Sequence, residues 1–75
     1  MSRLPVVTDR ELLRLLQRAE FYVDRVRGSH AVLLHSGKPG VRVVLAVHGG
    51  DLHPSELKRL LRAARITPDE FRQLL

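Results

Sequence analysis

Four imidazoles are the groups in this chain best suited to proton transfer: His30, His35, His48 and His53. An imidazole changes charge near neutral pH, so it can act as a general base or acid. Five positions separate His30 from His35. In an extended segment they project from opposite faces and do not share a metal. His48, Asp51 and His53 lack a spacing that recurs in metal sites. His35, His48 and His53 therefore read as surface or loop histidines, and no metal or other cofactor is expected.

His30 has a distinct setting. It follows the turn Gly28-Ser29, and Arg25 and Arg27 lie just before it. Glycine lets the backbone turn sharply or approach a ligand closely. Ser29 offers a hydroxyl, and the turn offers N–H groups. RNA brings its own nucleophile, the 2′-hydroxyl. Its cleavage needs a base, an acid for the leaving oxygen and cations on the phosphate. One well-placed histidine with arginine neighbours can supply much of this without metal. A second candidate is the stripe Lys58, Arg62 and Arg65 on one helix face, with Arg59 beside it. It is either a solvated face or a phosphate track.

These residues need elements to position them. Thr8-Asp9-Arg10-Glu11 is a capping box opening a first helix over 9–19, with an apolar stripe at Leu12, Leu13, Leu15, Leu16 and Ala19. β-forming residues predict strands over 21–27, 30–35 and 41–47. The short connections Gly28-Ser29 and Ser36–Gly40 make them an antiparallel meander. Pro54 sits at the first position of the next helix, whose apolar stripe is Leu57, Leu60, Leu61 and Ala64. A second capping box, Thr67-Pro68-Asp69-Glu70, opens a last short helix ending near Leu74. The fold class is α+β, in the order α-β-β-β-α-α, with a three-stranded antiparallel sheet packed on helices.

Composition narrows the function. Seventy-five residues make one domain, 1–75, with a thin core. The absence of cysteine excludes a disulfide framework and a thiolate zinc site. No apolar run is long enough to span a membrane, and the N-terminal apolar stretch is too short for a signal-peptide core. The cytoplasm is the expected location. Thirteen basic residues, nearly all arginine, face eight acidic ones, for a net charge of +5. Arginine suits phosphate because its fork donates two parallel hydrogen bonds. A small basic body attracts polyanions.

Taken in order, the segments Leu4–Thr8, Glu11–Leu16, Arg27-Gly28-Ser29-His30, Val47–Leu52 and Leu57–Ala64 resemble HicA-type toxins. The resemblance spans nearly the whole chain, and the Gly-Ser-His and Val-His-Gly-Gly motifs together are fairly specific. It implies a fold similar to double-stranded-RNA-binding domains and activity as an mRNA interferase, a metal-independent endoribonuclease. It also implies a HicB-type antitoxin as partner and His30 as the catalytic histidine. Gly28 and Ser29 then shape the turn that aims His30, and Arg27, Lys58 and Arg62 are the expected RNA contacts. Two alternatives share the fold: a non-catalytic RNA-binding module, and a HicA-like protein that has lost activity.

Three features depart from the family pattern. Glu20 stands where a glycine usually closes the first helix, so the chain leaves that helix by another route or under strain. The loop Ser36–Gly40 lacks the usual Asp-Gly hairpin. Alternation places Val32, Leu34, Val44 and Ala46 on the sheet face of His30. That apolar face expects a cover: the N-terminal residues of the same chain, the antitoxin or a second copy. The last of these would be a homodimer, formed through this face or an edge strand.

Overall fold

A computed structural model describes residues 4–75. The first three residues, where the N-terminal reading begins, lie outside the described residues. Each helix starts at its sequence signal. In α1 (Asp9–Arg18) the Thr8 hydroxyl accepts from the Glu11 N–H at 3.1 Å, and the Glu11 carboxylate accepts from the Thr8 N–H at 2.7 Å. α2 (Pro54–Ala64) is capped by His53, whose Nδ1 accepts from the Ser55 N–H. α3 (Pro68–Leu74) repeats the capping box with Thr67 and Glu70.

Two helix exits use left-handed backbone without glycine. Arg65 ends α2 at φ 58°, donating to the Arg62 carbonyl, while the Ile66 N–H reaches the Leu61 carbonyl. These are the paired bonds of a Schellman exit. Glu20 follows α1 at φ 77°, so the departure seen in the sequence resolves into a strained residue. Its carbonyl accepts from both the N–H and the hydroxyl of Ser36, at 3.1 and 3.0 Å, which pins the exit to the end of the second strand.

The strands are β1 (Phe21–Arg27), β2 (His30–His35) and β3 (Arg42–Ala46), antiparallel and in that order, so β2 is central. The third strand is one residue shorter at each end than its sequence suggests. One sheet face carries Ala31, Leu33, Val43 and Leu45 into the core cluster with Leu12, Leu16, Leu57, Leu60, Leu61 and Phe71. Each large apolar side chain fully buried there stabilises the fold by about 1.5–3 kcal/mol. Leu4 and Val7 join this cluster, so the described N-terminal segment packs on the helical side. The other face is open. The element order and layering agree with the expected α+β arrangement.

Register along β1 is not a simple alternation. Val23 pairs with Leu33 and Arg25 with Val32, leaving Asp24 as a bulge. A bulge inserts one residue and reverses the parity of the strand beyond it. Phe21, Val23 and Val26 consequently face the helical side, whereas Tyr22, Arg25 and Arg27 face the open side. The open face is built of three cross-strand rows: Tyr22–Leu34–Arg42, Arg25–Val32–Val44 and Arg27–His30–Ala46.

Candidate functional site

Gly28 and Ser29 join β1 to β2, with positive φ at Gly28 (58°) and none at Ser29. This is the pattern of a type II′ hairpin, which matches the twist of its strands. The turn places His30 at the first position of the central strand, directly across from Arg27. Both side chains are exposed. Side chains facing each other in adjacent strands start about 5 Å apart, so the two can engage one phosphate. Among the described residues no hydrogen bond or ion pair holds the His30 ring.

Backbone bonds tie this turn to Val47-His48-Gly49-Gly50. The Val47 N–H donates to the Ser29 carbonyl at 2.7 Å. The next three N–H groups turn away, toward the Asp9 carboxylate. His48 donates at 2.7 Å, Gly49 at 3.0 Å and Gly50 at 3.4 Å. Gly49 adopts φ 88°, which this wrapping requires and which L side chains rarely adopt. Asp9 is 3% exposed. Burial alone would raise its carboxyl; the backbone N–H groups of His48, Gly50, Gly49 and Arg10 outweigh that and hold it below the ordinary value. The Asp9 N–H also donates to the Gly50 carbonyl at 3.0 Å, and the Leu52 N–H to Val7 at 2.9 Å.

The remaining histidines do separate jobs. His35 lies on the helical side, as its spacing from His30 predicts. It departs from the expected surface role, being half-buried with its ring edge-on to Phe21 at 4.7 Å. Its Nε2–H donates to the Ala19 carbonyl and its Nδ1 accepts from the Gly37 N–H, both at 2.9 Å. His53 caps α2, and His48 contributes its backbone N–H. Among the described residues no group of three or more His, Asp or Glu side chains is arranged to hold a metal.

Arg27, Gly28, Ser29 and His30 therefore come together. Lys58 and Arg62 do not join them. They are exposed on α2, whose buried side (Leu57, Leu60, Leu61 and Ala64) packs on the helical face of the sheet. The sheet stands between that stripe and His30. Sequence reading left three residues off the face that carries His30. Arg42 was within reach, alternating with Val44. Tyr22 and Arg25 were not within reach together, because alternation puts them on opposite faces and the Asp24 bulge that unites them has no signature in it. The face is thus mixed: Val32 is shielded and Leu34 and Ala46 are half-buried, with arginines and Tyr22 on the flanking strands.

The family model for the HicA toxin of bacterial toxin–antitoxin systems matches residues 10–66. The chain belongs to the HicA toxin family. Comparison with curated proteins returns no match. The HicA match contains both short motifs and the bond between them. α3 lies beyond it, and Asp9 sits one residue before it. Among the described residues no helix is long and apolar enough to cross a membrane.

Proposed function

We infer that this HicA-family protein is an endoribonuclease that cuts mRNA with His30 as its general base or acid. The carrying observation is the cross-strand pair Arg27–His30, exposed at a turn that backbone bonds hold in place. His30 as base takes the 2′-hydroxyl proton. The 2′-oxygen then bonds to phosphorus while the P–O5′ bond breaks, and the 5′-oxygen receives a proton. His30 as acid supplies that last proton instead. Arg27 is placed to balance charge that grows on the phosphate oxygens, an electrostatic role worth most where charge develops in the transition state. Gly28 and Ser29 aim the imidazole, and Lys58 and Arg62 add to the basic field from the other layer.

A toxin of this kind works in the cytoplasm under control of a HicB-type antitoxin, and family membership together with the basic surface supports that context. The test is RNA cleavage by the purified protein and growth arrest on expression, each compared with His30→Ala. Loss of both in a folded variant supports the reading. Equal cleavage by His30→Ala overturns it, and salt-dependent RNA binding without cleavage by the parent protein assigns the chain to the non-catalytic alternative.

A further inference from the structure

The geometry points to the open sheet face as a track for a single, unpaired RNA strand, with Tyr22 as a base-stacking platform and Arg25 and Arg42 as phosphate contacts leading to His30. The inference rests on the ribonuclease reading and gives its substrate a form. Nine paired residues make up the three rows of this face, and none is a carboxylate; exposed Asp24, at the bulge beside Arg25, forms no ion pair among the described residues. Arg25, Arg27 and Arg42 are exposed, and none of them is ion-paired among the described residues. Unpaired guanidinium groups spread along the face that carries His30 are a complement to a polyanion. An acidic protein could answer that charge too, but two further features favour nucleic acid.

The first is Tyr22, 48% exposed beside Leu34 and Arg42. An exposed aromatic on an open sheet face, in one row with an arginine, offers a π-face to a base. Base stacking is tolerant of sequence and works only on bases that are out of a duplex. The second is the apolar centre: shielded Val32 and 39%-exposed Val44 lie between the Tyr22 row and the His30 row. A duplex presents phosphates and 2′-hydroxyls and would leave this centre and Tyr22 unused. An opened strand can lay its bases and riboses there. Four residues separate Leu34 from His30, about 13 Å along the strand. One nucleotide does not touch both Tyr22 and His30, so a base held at Tyr22 sets which bond reaches the imidazole. The Asp24 bulge makes this alignment possible, since it brings Tyr22 and Arg25 to one side.

The experiment uses the full chain carrying His30→Ala, so that RNA survives, and fluorescence anisotropy with a short RNA lacking self-complementarity and with its blunt duplex. Single strands are expected to bind about tenfold tighter or better. Tyr22→Leu weakens single-strand binding by about 5- to 100-fold, and Tyr22→Phe restores it. Arg42→Gln weakens binding and reduces the salt slope by about 0.7. Arg14→Gln, the same charge change on α1, leaves binding near the parent value. Equal or tighter duplex binding overturns the proposal, as does a Tyr22→Leu variant that binds like the parent. A dimer in sedimentation that Tyr22→Leu dissolves gives the face to a second copy and also overturns it. If His30-dependent cleavage occurs but is indifferent to Tyr22 and Arg42, the track falls and the ribonuclease reading stands. If RNA is neither bound nor cut, both fall.

Discussion

The Asp9 carboxylate accepts a 2.7 Å hydrogen bond from the backbone N–H of His48, across a sequence separation of 39 residues. The bond joins the first turn of α1 to the loop that follows β3. One residue earlier, Val47 donates to Ser29 in the turn before His30. The start of α1, the Val47–Gly50 loop and the Gly28-Ser29 turn are thus linked by consecutive backbone groups. His30 is aimed by this framework rather than by a bond to its ring, which leaves the ring available for chemistry.

Asp9→Asn should lower stability by about 1–3 kcal/mol, because an amide presents donors to N–H groups that need an acceptor. It should also change the acid response. The folded carboxyl lies below the ordinary value of 3.8 that the unfolded chain keeps. Well above 3.8 both states are ionised and the stabilisation is complete. As pH falls through that value the unfolded chain takes up the proton first, and stability is lost until the folded carboxyl protonates as well. Urea unfolding between about pH 7 and about pH 3 should show a shallower acid decline for Asp9→Asn. Equal declines would show that Asp9 is not the linked group.

Glu20→Gly should stabilise the protein. A left-handed conformation costs an L-residue about 1–2 kcal/mol. Glycine removes that cost but gains unfolded-state entropy of about 0.4–1 kcal/mol. The net gain is about 0.5–1 kcal/mol, a rise in Tm of about 2–8 °C for a domain of this size. The two Ser36 bonds go to the Glu20 carbonyl and survive the change. A lower Tm in thermal melts would show that the Glu20 side chain supplies something its φ hides.

The contrast between Glu20 and Asp24 explains what the sequence disclosed. Helix starts were legible because Thr8–Glu11, Pro54 and Thr67–Glu70 act on their own neighbours. Strand limits were legible because Gly28-Ser29 and Ser36–Gly40 interrupt β-forming runs. The strain at Glu20 was visible only through the resemblance, which leads one to expect a glycine there. Long-range facts were hidden. Nothing near Asp9 marks it as the acceptor for a loop 39 residues away. The Asp24 bulge depends on how β1 meets β2, so strict alternation puts Tyr22 and Arg25 on opposite faces, whereas the observed register puts them on one. The turn with His30 was therefore readable, and the face around it only in part.

Gly28→Ala tests the turn. A Cβ there meets nothing within 4 Å, so the cost is backbone strain alone. Set against reduced unfolded-state entropy, the expected loss is about 0.5–1 kcal/mol. Gly28→Val should lose more, because positive φ suits a β-branched side chain least. Cleavage should follow the same order, since the turn aims His30. A fully active, unstrained Gly28→Ala protein would separate the turn from the function.

His30→Ala and His35→Ala should fail in opposite ways. His30 is exposed and its ring has no hydrogen bond among the described residues, so its removal should change stability by less than about 0.5 kcal/mol. Loss of a general acid or base should lower cleavage by about 10²- to 10⁴-fold. His35 joins three elements: Ala19 at the end of α1, Gly37 in the loop, and the Phe21 ring at 85°. Removing it forfeits two hydrogen bonds and an edge-to-face contact, about 2–4 kcal/mol in all. The remaining folded fraction should still cut RNA through His30. The check is paired: urea midpoints at unchanged m-value, and initial cleavage rates corrected for folded protein. If His30→Ala lost stability as His35→Ala does, and lost activity only in proportion, His30 would be a structural residue and the general acid–base role would have to lie elsewhere.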